Sequence, residues 1–311
     1  MTGSRPADTS PPSSWQSRAL KWIGVVTAVI SLLLGVRQLT SWVSDLYGRQ
    51  REASTLVDIA RQQASRREFT AAWASLDRAT QVRVSEEVDR ARVDIAFAWL
   101  EDARPGPGQK FAVITDPVTP ALDRALVSAE GERRADLLAH LGWVTFLRLR
   151  DGYDGDPAQR YQEALAIDPD NVFANAMLGH WLLWRGTAQM DTAREHFETA
   201  LKGAGDRRAF VRQLQLAALR NRVEDGDAEL LRVANDMRMR NERLDERTAD
   251  YVYWIFTMRY GPNASRTSRV SSVSDQDLAS TYDWIVDASP GAQRSGMREP
   301  VRKALREGAP R

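Results

Sequence analysis

The 311-residue chain has no cysteine. Disulfide frameworks, thiolate-bound metals and thiol nucleophiles are therefore excluded, while the redox compartment stays open. Histidine is nearly as scarce, with only His140, His180 and His196. Neither H-x-x-x-H nor H-E-x-x-H occurs, so no helix face offers a pair of imidazoles for zinc. Lysine is limited to Lys21, Lys110, Lys202 and Lys303 among 43 basic residues. The resulting arginine excess suits bidentate pairing with carboxylate or phosphate, although a genome-wide composition bias explains it more simply. With 42 acidic residues the formal net charge is +1. No global field draws the chain toward nucleic acid or an acidic partner.

Chemical signatures are missing as well. There is no G-x-S-x-G and no G-x-G-x-x-G. Gly108-Gln109-Lys110 lacks the spacing of a phosphate loop. Asp151, Asp154 and Asp156 lack the closing glutamate of a calcium loop and read as a solvated turn. No catalytic residue, cofactor or metal is expected.

Long hydrophobic runs are absent but for one, Trp22 to Val36 (WIGVVTAVISLLLGV). As a helix it rises about 22 Å, against about 30 Å of hydrocarbon. Lys21 and Arg37 can snorkel outward and lengthen the span to residues 19–40. Trp15, Trp22, Trp42 and Tyr47 then fall near the two interfaces. A cleaved signal peptide and a buried core helix are the competing readings. The following residues, GVRQLTSWVSD, offer no convincing small-x-small cleavage site, and a helix apolar all round needs walls on every side. The expectation is an uncleaved single-pass anchor in the lipid bilayer, preceded by a Ser/Thr/Pro-rich disordered tail over residues 1–18. Arg5, Arg18 and Lys21 balance Arg37, Arg49 and Arg51 across it, so flanking charge does not orient it. The easy retention of a short cytoplasmic tail favours the extracytoplasmic side for the soluble domain.

What the chain has in abundance is helical periodicity. A helix over 41–65 is followed by one over about Thr70–Ala79, with Ala72, Leu76 and Ala79 on one face. Ser85 caps a third, whose apolar side is Val88, Ala91, Ile95 and Trp99. Residues 104–118 (RPGPGQKFAVITDPV) read as an insertion around an extended run, Phe111–Thr115, with helix restarting at Thr119-Pro120. Gly131 marks a break before a longer helix to Arg150. Asp156-Pro157 and Asp191 read as caps of the next elements, and Glu224-Asp225-Gly226 as a turn. Further helices are expected over Arg207–Arg220, Asp227–Met239, Arg247–Arg259, Asp275–Asp287 and Val301–Glu307, with a polar linker before the last two.

The body also repeats. Leu141-Gly142 and Leu178-Gly179 lie 37 residues apart, and Tyr161 and Ala164 lie 36 ahead of Phe197 and Ala200. That spacing is close to the period of about 34 residues in helix–turn–helix solenoids. Gly and Ala let paired helices approach, and the aromatic ring fills the space beside them.

On Leu178, Gly179, Ala193, Phe197 and Ala200, with Leu141, Gly142, Tyr161, Ala164 and Pro169 before them, the body resembles the tetratricopeptide repeat (TPR) family. Asn175 stands where the family usually has Trp, and Gly205 where it often has Pro. The resemblance implies an all-α, TPR-like solenoid over 41–261 with the 104–118 insertion, followed by linker and C-terminal helices over 262–311. It implies a scaffold that binds a protein or peptide partner in a concave groove; the missing catalytic motifs argue against an enzyme, and the balanced charge and membrane anchor against nucleic-acid binding. Carried over, the groove residues are Phe173, Ala176, His180, Leu183, Trp184 and Arg212. Ala176 and His180 replace the Lys and Asn of members that grip a C-terminal carboxylate, so an apolar or aromatic anchor is expected instead. The alternative is an enzyme or enzyme subunit whose site is built around 104–118.

Overall fold

The structure, a computed structural model, describes residues 47–103, 108–220, 226–262, 273–294, 296 and 298–307. The tail and the apolar run over 19–40 lie outside the described residues. So do residues 263–272 of the expected linker, residues 221–225, which include Glu224 and Asp225 of the expected turn, and 104–107 of the expected insertion. The fold is all-α, with no strand among the described residues. None of the described helices is long and apolar enough to cross a membrane.

The chain divides into two compact units between Ile95 and Ala96. The first holds α1 (47–65), α2 (Phe69–Val82) and the start of α3 (Glu86–Glu101). Arg67 takes φ +63 between α1 and α2, where the expected break falls. Ala72, Leu76 and Ala79 are fully buried, as the helical spacing requires. The Ser85 hydroxyl accepts from Val88 N at 3.4 Å and starts α3.

In the second unit the helices follow as α4 (Ala112–Ser128), α5 (Gly131–Arg150), α6 (Pro157–Ile167), α7 (Val172–Arg185), α8 (Met190–Gly203), α9 (Arg208–Arg220) and α10 (Asp227–Met239). Four more complete it: α11 (Glu246–Tyr260), α12 (Asp275–Ala288), α13 (Pro290–Arg294) and α14 (Arg298–Glu307). The tightest packing is within the pairs α5/α6 and α7/α8, while α7 also lies against α5 and α9. Both pairs close on glycine. A Cβ on Gly142 would stand 2.5 Å from Tyr161 Cε1, and one on Gly179 would stand 3.0 Å from Phe197 Cε2. Ala164, Ala193 and Ala200 beside these rings are fully buried. The recurrence seen in the sequence is thus one joint used twice: a bare helix backbone with an aromatic ring laid on it.

The turns are held by side chains. Asp156 accepts from Ala158 N at 3.0 Å and Pro157 opens α6, as its cap-plus-proline reading requires. Asn171 caps α7 through Ala174 N at 2.9 Å. Asn175 donates to Pro169 O at 2.9 Å and Asn171 O at 3.0 Å, and accepts from His196 Nδ1 at 2.8 Å. A polar group here closes the α6–α7 turn and ties it to α8. Asp191 does not cap α8. A 3-10 turn, Thr187–Gln189, precedes that helix and leaves Asp191 inside its first turn.

The expected extended run at Phe111–Thr115 is also corrected. Helix begins at Ala112 and runs through Pro117 and Pro120. Asp151, at the end of α5, explains the start: its carboxylate accepts from Phe111 N at 3.0 Å and Ala112 N at 2.8 Å. An acid placed on two free amides at a helix N-terminus satisfies orphan donors and meets the positive end of the dipole. Ile114, Val118 and Leu122, an i, i+4, i+8 row, are buried, and α4 packs on α5. That burial offsets the two backbone hydrogen bonds that the prolines cannot make.

At the C-terminal end, α12 packs on α10 and α11, and α14 on α11 and α12. Asp250 of α11 receives Ser289 Oγ and, at 2.8 Å, Gly291 N, so α13 is pinned at its first turn. The terminal helices belong to the packed unit.

Two stability measurements test this account. Gly142→Ala is expected to destabilise the protein by about 1–3 kcal/mol, because the new methyl overlaps a ring that has no space to retreat. Gly179→Ala, with a looser 3.0 Å approach, should cost less, and denaturant midpoints will rank the two. Asp151→Ala should cost about 1 kcal/mol through loss of the cap, with amide exchange accelerated at the first turn of α4.

Candidate functional site

Of the six residues expected to line a groove, five are interior. Phe173, Ala176, His180, Leu183 and Arg212 are all buried, whereas Trp184 is 36% exposed. The structure sorts them into three neighbourhoods rather than one.

Phe173 belongs to a row of rings crossing four helices. Phe97 of α3 stacks on His140 of α5 with centroids 3.7 Å apart, His140 meets Phe173 of α7 at 4.6 Å, and Phe173 meets Phe210 of α9 at 6.0 Å. Arg133 lies over Phe97 and Arg207 over Phe173. Glu101 pairs with Arg207 at 2.8 Å and stands 3.4 Å from His140 Nε2. Nδ1 of His140 donates to Asp136 O, which fixes that nitrogen as protonated.

His180 lies in a second cluster. Trp143 and Phe146 of α5 present edges to its ring at 5.2 and 5.1 Å, and its Nδ1 donates to Leu214 O of α9 at 3.0 Å. Burial lowers its pKa to about 4, with the nearby Arg150 charge adding to the effect. It is therefore a neutral packed histidine that ties α7 to α9. His196 is half-buried, and burial lowers its pKa too. Arg212 donates to Glu242 at 2.9 Å, to Gln215 at 2.9 Å and to Asp236. Burial raises both carboxyls, but the guanidiniums of Arg212 and Arg208 on Glu242, and of Arg240 and Arg212 on Asp236, bring them below the ordinary range. Arg212 is a buried node joining α9 to α10 and the turn after it.

Trp184 marks the third neighbourhood, where α5 and α7 both end. Its ring meets Phe146 edge-on at 5.3 Å. Trp181, one turn earlier, meets the same Phe146 at 6.2 Å. Arg150, exposed in the last turn of α5, lies 5.0 Å from the Phe111 ring and 5.8 Å from that of Trp184. Arg185, exposed at the end of α7, lies 5.9 Å from that of Trp181. The large aromatics of α11 make other contacts. Tyr253 is buried against Tyr282, and Tyr251 pairs with Trp254.

Sequence reasoning missed Arg150 and Phe111 as members of this surface. Phe111 had been read inside an extended insertion, so nothing along the chain pointed to Asp151 and Arg150 as the groups that receive it. No group of three or more His, Asp or Glu is placed to hold a metal among the described residues. Compared with protein-family models, curated proteins and solved structures, the chain matches none.

The His180 burial carries a pH prediction. Its folded pKa lies below the ordinary 6.5, so the unfolded chain binds the extra proton first. The stability it contributes is complete above about pH 6.5 and is lost as pH falls toward 4, by up to about 3 kcal/mol. Thermal melts across this window should show that loss, and His180→Gln should flatten it.

Proposed function

We propose that this chain is a bilayer-anchored, TPR-like helical-repeat scaffold that binds a protein or peptide partner, with residues 19–40 as the single-pass anchor. The repeated joint carries the reading: Gly142 against Tyr161 and Gly179 against Phe197 stack two successive helix pairs in the same way. Such a stack lengthens by adding pairs and presents one helix of each pair along a common side. Here those first helices are α5, α7 and α9. The interior of that side is filled by Phe173, His180 and Leu183, so a partner meets it at the open end marked by Trp184. The soluble domain is assigned to the extracytoplasmic side. An exposed aromatic beside arginines is the composition of interface anchors.

The test is in-cell crosslinking of the full-length chain, followed by detergent extraction and pull-down. A defined partner is expected, and Trp184→Ala should reduce its recovery about tenfold at a temperature where its melt shows the variant still folded, the lost packing on Phe146 lowering the midpoint. Undiminished recovery with the variant would move the contact away from this end. Cleavage of the domain by external protease in intact cells is expected; protection until lysis would reverse the orientation.

A further inference from the structure

We propose that the edge formed by Arg150, Trp184 and Arg185 docks an acidic peptide segment of the partner, rich in Asp or Glu and carrying an apolar anchor. The inference rests on the scaffold reading and specifies the chemistry of its partner. It starts from the contrast with those arginines of this unit that hold a carboxylate. Arg148 holds Asp116 at 2.8 Å, Arg194 holds Glu229 at 3.0 Å and Arg207 holds Glu101 at 2.8 Å. Arg208, Arg212 and Arg238 likewise reach Glu242 or Asp277. With near-equal numbers of basic and acidic residues, such pairing is common in this unit.

Arg150 and Arg185 depart from it. Among the described residues their contacts are with rings alone: Phe111 and Trp184 for one, Trp181 for the other. Asp151, next to Arg150 in the chain, is engaged by the Phe111 and Ala112 amides, and Asp116 by Arg148. A guanidinium laid on an aromatic face keeps its in-plane N–H donors directed outward, in the fork that matches a carboxylate. The ring beneath also restricts the side chain, which lowers the entropy lost when that fork is used.

The helix ends act the other way. The C-termini of α5 and α7 contribute about half a negative charge each. Two full guanidinium charges outweigh them, and the Asp151 carboxylate beside Arg150 is spent on the positive end of α4, at the Phe111 and Ala112 amides. Beside the arginines, the exposed part of Trp184 and the half-buried Trp181, both packed on Phe146, provide the apolar seat. Carboxylates on either side of an apolar side chain are the complement of this arrangement. The separation of charges by aromatic surface favours a peptide over the continuous phosphate track of a nucleic acid.

The experiment uses the full-length chain in detergent and a short fluorescein-labelled peptide that alternates Glu and Leu, read by anisotropy. Binding that weakens with added salt is expected, with a loss of about five- to tenfold in Arg150→Gln/Arg185→Gln. Arg150→Lys/Arg185→Lys should recover only part of it. Both arginines are exposed and, among the described residues, reach no carboxylate, so the melting midpoint should shift little. Equal binding of the peptide with Gln in place of Glu would overturn the proposal, as would undiminished binding by the double Gln variant. Tighter binding of a single-stranded oligonucleotide or of anionic vesicles than of the Glu peptide would overturn it as well. Crosslinking the double Gln variant in cells separates the two levels. Recovery of the same partner at parental yield sinks this edge and leaves the scaffold, whereas no partner for either protein sinks both.

Discussion

Close approach of helices onto bare backbone is the constraint on which the second unit depends. At Gly142 and Gly179 the absence of a side chain lets a ring from the next helix lie where a methyl would otherwise stand. Tyr161 and Phe197 are essentially inaccessible to solvent, and the Tyr161 hydroxyl has no hydrogen-bond partner among the described residues. An unpaired buried hydroxyl is costly, typically by 1–3 kcal/mol, and burial pushes its pKa well up. Its persistence here indicates that ring volume outweighs hydroxyl chemistry at this joint. Once two pairs are closed this way, the offset between them follows, and α7 is brought against both α5 and α9.

Polar side chains then decide the details that apolar packing leaves open. His140, His180 and His196 each donate through Nδ1 to an oxygen, which holds the ring in one tautomer and orientation. Arg212 and Arg194 perform the equivalent task between α8, α9 and α10 with charged pairs. A buried ion pair is weak evidence for net stability, but breaking one partner is expensive. These contacts fix which neighbours meet and at what height along each helix.

The sequence was most informative where the signal was periodic. Residues 72, 76 and 79, the glycine–aromatic recurrence and the 227–239 helix could all be placed from spacing alone, because a helix face repeats every three to four residues. It was least informative where a distant residue overrode local preference. Phe111–Thr115 followed by two prolines looks like an interrupted, extended segment. Asp151, on another helix, supplies the amide partners that make it helical. The groove residues show a different limit. The family resemblance pointed to the face of α7 that carries Phe173, His180 and Leu183, but a face that is apolar enough to bind is also apolar enough to be covered by α5 and α9. Only the end position, Trp184, stayed open.

The clamp at Asp151 has a consequence for the order of assembly. The amides it receives precede it by 40 and 39 residues. While the chain is being synthesised, α4 can be complete in length and still lack the group that defines its first turn. Its beginning becomes settled only after α5 has emerged and delivered its final residues back to it. The helix that comes earlier in the chain is thus the later one to acquire a fixed starting point.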